Sequence, residues 1–574
     1  MRAFLPYLVV VGPLSLAAFA CLAFGACSAE HSDAAPTPAL DSGFVDASDS
    51  GPVIDSAIDD VPAFDVPSET TPDTAPPPDP KTCDEAVSTR SYIGCDFWPT
   101  TLANRVWSIF DFAAIVANAG DTEARITVTG PGGFKKEAIV GPNRVTKLYL
   151  PWNAALKGPD GDACGSAGAL DSSIRSNKGA YHLVTTRPVA VYQFNALEFK
   201  GEGGPPTKSW TGCPGDSACT MADGTFVGPL GCFSFTNDAS LLLPTTAMTG
   251  NYRVTSGHGA PGANPYFAIT ATQDGTEIDV TMGSHGRILP GDVDSGIPFT
   301  GPGKHAKFKL DAGDVVELMG GAFSSSDPSG SLVQATKPVQ VISGVPCIEQ
   351  PIGTPACDHI EQTVFPAETL GKDYVVTVPT APAGDVIGHV VRIFGNIDGT
   401  HLSYFPKAPK GAPTTMNAGE VFDLGIVTDD FEVTADNSFA VGSFMLGGEV
   451  LDPSALVGEQ KGDPSQSNVI AVEQYRLKYV FLAPDDYPVS FIDVVSGKDA
   501  TLTLDGTVVA DLPKAIGATG FVVHRLLLGA GEVGAHLLTS TKPVGMQVMG
   551  YARYTSYQYP GGLNLATIAP PPPK

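Results

Sequence analysis

A chain of 574 residues is longer than one hydrophobic core supports, so several domains are expected. Its 64 Gly and 50 Pro, with 43% hydrophobic and only 17% charged residues, exclude a helical bundle and favour turn-rich, all-β architecture. The formal charge of −27, unrelieved by any cluster of Lys or Arg, excludes nucleic acid as a partner.

At the N-terminus, Arg2 precedes an apolar run from Ala3 to Ala26 that Pro6 and Pro13 interrupt and that ends on Gly25 and Ala26. The pattern predicts a cleaved export signal over residues 1–26, because a membrane-spanning helix usually lacks internal prolines and is followed by a basic stop. The run resembles a bacterial lipoprotein signal, which implies lipid attachment at Cys27 and a membrane partner through that anchor. Cys21 is the weaker candidate, since the apolar run continues past it; the plain alternative is that Cys27 is only a small residue beside the cut. Residues 27–82 follow, rich in Pro, Asp, Ser and Thr, with no Lys or Arg from Ser28 to Pro80. Such a segment buries too little apolar area to offset the entropy of ordering, so a disordered, self-repelling linker is expected. A calcium-collecting acidic tail is the poorer alternative, because the acids lack the spacing of a ligand loop.

Beyond Cys21 and Cys27 there are eight cysteines, Cys83, Cys95, Cys164, Cys213, Cys219, Cys232, Cys347 and Cys357. An even count in an exported chain reads as disulfides, and no C-x-x-C pair supports zinc. Local spacing pairs Cys83 with Cys95 and Cys347 with Cys357, leaving Cys164, Cys213, Cys219 and Cys232 open.

The body of the chain repeats itself. "TTRPVAVYQFN" from Thr185, "ATKPVQVISG" from Ala335 and "STKPVGMQVMG" from Ser540 each lead from Thr, a basic residue and Pro into an apolar run. Ahead of them stand hairpin signals, "NAGDTEARITV" at Asn118, "ATQDGTEIDVT" at Ala271, "GNIDGTHLSYF" at Gly395 and "SGKDATLTLDG" at Ser496. Turns such as "LDAGDVVEL" at Leu310 and "NAGEVFDLG" at Asn417 follow in the same order. We read tandem divergent β-sandwich-like modules at 83–238, 239–358, 359–460 and 461–567, each of roughly 100 residues, a common sandwich size. The second copy shows about seven short strands, whereas a propeller blade needs only four. In the third copy Ser438 replaces the Pro, which is a turn-setter and not chemistry. Residues 568–574, with "APPPPK", are expected to be a disordered tail.

Candidate sites are few. The Gly-rich insertion from Ala196 to Asn237, holding Cys213, Cys219 and Cys232, is the first candidate contact surface. His359 with Asp358 and Glu361 is the densest polar cluster, a weak metal or acid–base candidate more readily explained as a satisfied loop or strand-edge histidine. Asp160 and Asp162 in "PDGDAC" are weak calcium candidates, a turn being the default. Nucleophile-elbow, zincin, P-loop and dinucleotide motifs are missing, so no catalytic residue and no cofactor is assigned; a glycosidase acid pair stays open because its spacing is spatial.

Several separated runs, "SYIGCDFWPTTLANRVWSIFDFAAIVANAGDTEARITVTGPGG" at Ser91, "AYHLVTTRPVAVYQFNALE" at Ala180, "TNDASLLLPTTAM" at Thr236 and "CDHIEQTVFPAETLGKDYVV" at Cys357, resemble the N-terminal domain of IgGFc-binding proteins, with the likeness running from Cys83 to Thr567. The resemblance implies a secreted or surface protein that binds an extracellular protein or glycan ligand without catalysis and supplies no catalytic residues; von Willebrand type D modules are not evident. With the lipoprotein-like leader it places the chain in a bacterial cell envelope, at the outer membrane or cell surface. The alternative function is a carbohydrate-binding or carbohydrate-processing protein, favoured if Trp98, Trp107, Trp152 and Trp210 form an exposed cluster or if two carboxylates face each other across a cleft. A third reading is a spacer of the envelope.

Overall fold

The computed structural model describes residues 78–573 except 162–167, 169, 216–218, 221–225, 229–230, 457 and 532–533; the export signal, Cys27, the linker up to residue 77, Asp162 and Cys164 lie outside the described residues, whereas the linker's last residues are described, with Asp79 paired to Arg476. Alternation sets the outer strands: Ala124–Gly130 and His305–Leu310 bury every second side chain, as strands with one solvated face must. Phe112–Asn118, Tyr266–Ala271 and His389–Gly395 are buried at every position, because both of their faces are covered. Helix is confined to short pieces such as Cys83–Thr89, whose N-cap Thr82 accepts a hydrogen bond from the Glu85 amide. No described helix is long and apolar enough to cross a membrane.

The strands form tandem two-sheet repeats of one topology. In the second repeat one sheet runs Asn251–Arg253, Leu332–Ala335, Thr276–Thr281, His305–Leu310; the other runs Asp358–Thr363, Val339–Ile348, Tyr266–Ala271, Val315–Met319. The third repeats both orders, with Asp373–Val376, Phe431–Ala435, Thr400–Phe405, Thr415–Met416 facing Gln466–Asn468, Phe439–Phe444, His389–Gly395, Val421–Val427. In the first and fourth, the two strands that lead from one sheet to the other are fused into His182–Phe194 and Ala535–Ala552. The front half of Ala535–Ala552 pairs with Arg476–Leu482 and Leu502–Leu504, its rear half with Val489–Gly497 and Thr555–Pro560.

The recurring Thr-basic-Pro phrase marks the crossing. Thr185 still faces Ile126 in one sheet and Ala190 already faces Ala117 in the other, so Thr186, Arg187 and Pro188 lie between. Ala335 and Val339 bracket Thr336 to Pro338 in the same way. Ser540 and Gly545 bracket Thr541 to Pro543. Proline has no N–H to leave unpaired there, and its fixed φ sets the bend. In the third repeat Asn396 Nδ2 donates to Ser438 Oγ at 2.9 Å, a side-chain tie where the others use proline. A tyrosine secures the crossing in the second, third and fourth repeats: Tyr252 donates to Val339 O at 2.6 Å and Tyr374 to Phe439 O at 2.6 Å, and Tyr479 donates to Val544 O. Each of the three phenol oxygens also accepts the amide three residues before it.

Two expectations need correction. The boundaries at 238, 358 and 460 fall ahead of the strand that closes each second sheet: Ala239–Leu242 hydrogen-bonds back to His182–Phe194, Asp358–Thr363 to Val339–Ile348, and Gln466–Asn468 to Phe439–Phe444. These closing strands share no phrase, so a reading anchored on turns cuts them off. The expected disordered tail is described to Pro573: Ile568 and Ala569 donate to Glu368 O at 2.8 and 3.0 Å, and Gln334 Nε2 reaches Pro572 O and Pro573 O. Four prolines are preset in an extended form, so little entropy is lost when they lie along a sheet.

The closing strands Ala239–Leu242, Asp358–Thr363, Gln466–Asn468 and Thr555–Pro560 pack against one another where the repeats meet, and the described residues form one compact unit. One large apolar cluster joins the first repeat to the fourth, fixed by Tyr192, whose hydroxyl contacts Val480 O and Gly561 O.

Candidate functional site

The insertion leaves the first crossing strand at Ala196 and returns at Asp238. Asn237 ties its base shut, donating from Nδ2 to Ala196 O and Glu198 O, both at 3.0 Å. The Gly201 amide donates to Cys232 O at 2.9 Å, and Cys213 is bonded to Cys232. The expected pairs Cys83–Cys95 and Cys347–Cys357 are also formed. Cys213–Cys232 settles part of the pairing that spacing left open; the side chains of Cys164 and Cys219 lie outside the described residues.

Trp210 and Cys213 of the insertion gather with Trp107 and Trp152 around Val106 and Phe110. Trp152 Nε1 donates to Phe110 O at 2.7 Å, and the Trp210 ring lies 5.3 Å from that of Phe110. All three are half-buried, while Trp98 is 7% exposed and stacks on His182 at 4.2 Å, so the four do not make one exposed platform. Lys208 Nζ stands 3.9 Å over the Trp210 ring and 2.8 Å from Asp111 Oδ2.

Glu198, at the insertion's mouth, is 5% exposed. Its Oε2 accepts the Asp111 amide at 2.7 Å; Lys208 Nζ is 3.5 Å from Oε1, which takes no hydrogen bond. Burial first, and then the Asp111 charge, push its carboxyl up to about 8. Across from it, Asp486 Oδ2 accepts the amides of Phe199 at 2.6 Å and Lys200 at 3.2 Å, and burial raises this carboxyl too. Asp485 is held by Lys147 at 2.8 Å. Sequence reasoning missed these residues; the one signal was the adjacent acid pair in "APDDYP" at the turn before a strand.

The His359 cluster lies at the meeting of the closing strands, fully buried. His359 Nε2 is 3.6 Å from Glu361 Oε2, and Glu361 accepts Gln193 Nε2 at 2.6 Å and also Asn195 Nδ2. Asp358 engages Thr555 Oγ1 at 2.9 Å instead. Asp238 joins the strands: Oδ1 accepts Ser465 Oγ at 2.7 Å, and Oδ2 accepts the Glu361 amide at 2.9 Å. Burial pushes Asp238, Asp358 and Asp463 far above the carboxylate range. A hub sealed from solvent holds repeats together and offers a substrate no approach.

Asp160 is engaged by Lys157 Nζ at 2.6 Å and by the Ser108 amide and hydroxyl at 2.9 and 2.8 Å. Burial opposes its ionisation, but these bonds together hold the carboxyl below its ordinary range. Among the described residues no group of three or more His, Cys, Asp or Glu side chains is arranged to hold a metal ion.

Residues 238–550 match the family model described as IgGFc binding protein. The Homo sapiens protein named "IgGFc-binding protein" is 26% identical over 342 residues, a stretch that is 59% of this chain and 6% of that protein. Two solved structures were compared: an anti-sigma factor domain-containing protein from Clostridium clariflavum, 12% identical, with a TM-score of 0.10 over 56% of this chain and 83% of that one; and a tetra-tandem repeat in the extending region of a large adhesion protein, 12% identical, with a TM-score of 0.08 over 82% of this chain and 99% of that one. At such scores neither carries an argument.

Proposed function

The chain belongs to the IgGFc-binding protein family, and from that premise we propose that it is an extracellular binding protein whose contact surface is the insertion of residues 196–237, acting in adhesion and not in catalysis. The carrying observation is that this disulfide-stapled segment breaks a topology otherwise repeated through the unit. The insertion precedes the matched span of residues 238–550, so its role is supported by geometry and not by the match. An acylated Cys27 and the acidic linker would hold the body away from a bacterial envelope membrane. The test is affinity capture from envelope and extracellular material with the full chain and with C213S/C232S. One partner recovered by the first and lost with the second supports the reading; turnover products in place of a bound partner overturn it.

A carbohydrate ligand is the second reading, which would have to use the exposed edges of the half-buried Trp107, Trp152 and Trp210. A glycan array that W210A leaves silent, where the native chain gives a signal, would move the partner from protein to sugar.

A further inference from the structure

The four-stranded sheet of the second repeat carries a polar row across its strands: Asn251 faces Gln334, Gln334 faces Asp279, and Asp279 faces Lys307. Three of the four are committed to the body. Asn251 Nδ2 donates to Glu368 Oε1 at 2.6 Å, and Asp279 is paired with Lys307 at 3.3 Å and with His305 at 3.0 Å. Gln334 differs: among the described residues its side-chain hydrogen bonds go to the C-terminal tail, from Nε2 to Pro572 O at 3.5 Å and to Pro573 O at 3.4 Å.

The tail reaches this row from the fourth repeat. Ile568 and Ala569 donate to Glu368 O, the chain bends at Ala569, and of the prolines that follow Pro572 is buried while Pro570, Pro571 and Pro573 are exposed. A proline helix has three residues per turn, so one proline in three against a wall is what docking along one side produces. Proline cannot pair as a strand, having no N–H, but its carbonyl is a full acceptor, and a side-chain amide that donates to two successive carbonyls suits such a segment. A groove of about 630 Å3 surrounds the contact, with Pro573 in one wall and Thr281, Lys309, Leu332 and Thr336 in the others, so the tail takes up one part of it and leaves the rest open.

We infer that this face is a binding site for a proline-rich segment in extended form and that the chain's own tail fills it, so that a partner presenting such a segment binds by displacing residues 570–573. The site belongs to the second repeat and stands whether or not the insertion is a contact surface. A proline segment is preset in its extended form, so docking it costs little conformational entropy. The phenyl ring in the lining, that of Phe308, is buried, which leaves recognition to the carbonyl groups; affinity for a separate peptide is therefore weak, on the order of 100 μM.

The test follows, by fluorescence anisotropy, a labelled acetyl-APPPPK amide titrated with the native chain, with the chain ending at Ala569, and with full-length P570A/P571A/P572A/P573A. Saturable binding to the shortened chain is expected, with roughly tenfold weaker binding to the native chain, whose tethered tail competes at a millimolar effective concentration. The full-length alanine variant should bind the peptide nearly as well as the shortened chain. Q334A in the shortened chain should weaken binding roughly fivefold while keeping the native circular dichroism spectrum. No saturable binding to either tail variant, equal binding by the native chain and both tail variants, an unaltered affinity in Q334A, or equal binding of a peptide with alanine in place of each proline overturns the inference.

Discussion

The hub of closing strands and the mouth of the insertion are both rich in buried carboxyl groups, yet Asp238 in the first and Glu198 in the second are wired in opposite ways. In the hub, Asp238 receives bonds from Ser465 and from the amides of Glu361, Gln466 and Gln558, so one side chain is shared by strands of three other repeats. At the insertion's mouth, Glu198 is bonded inside the first repeat alone, by the Asp111 amide at 2.7 Å and by Lys208 Nζ 3.5 Å from its Oε1. A buried acid whose bonds come from several repeats fixes an assembly; one paired within its own repeat holds only the local chain.

The contrast breaks most readily at Asp238. D238A strands several buried donors at once, and its unfolding free energy should drop by about 3 kcal/mol or more in chemical denaturation. If D238A melts like the native chain, the hub is not what joins the repeats. Next comes pH. Burial pushes Glu317 up to about 8 and Asp373 up to about 7, the latter also repelled by Glu432 and Glu473. A raised carboxyl holds a proton that the unfolded chain has released, so its stabilisation is fully present below the unfolded value and is lost as pH rises through the folded one. Stability should therefore fall by about 1 kcal/mol per pH unit for each group between its unfolded and folded values, from about pH 4.5 to about pH 8 for Glu317 and from about pH 4 to about pH 7 for Asp373, read from urea midpoints. Smaller again are Y252F, Y374F and Y479F, each removing one crossing-point hydroxyl at a cost of about 1–2 kcal/mol. Similar losses in all three would sharpen the equivalence of the repeats. The smallest change is expected at the insertion's mouth: E198Q replaces an already neutral-leaning acid by its isostere, and stability at pH 7 should shift by about 0.5 kcal/mol or less.

Parts of this were legible beforehand because they are local. Cys83 with Cys95 and Cys347 with Cys357 lie close enough in sequence to be paired on spacing. The Thr-basic-Pro phrase betrayed the repeat, although what it does, carrying a strand from one sheet to the next, needed the register. The closing strands escaped notice because hub-facing polar residues such as Gln466, Ser467 and Asn468 resemble loop composition. His359, Asp358 and Glu361 stood out as a cluster, but adjacent strand residues face opposite ways, and Asp358 turned to Thr555 while His359 and Glu361 shared a side.

What the amino-acid order determined by itself was the strand class, the repeat and the acid-rich character, since alternation, turn chemistry and charge are properties of neighbours along the chain. Only tertiary structure decided which acids join repeats and which stay local. Phe199 and Asp486 are 287 residues apart, and the desolvation that sets a buried carboxyl apart from an exposed one exists only after distant repeats have closed around it.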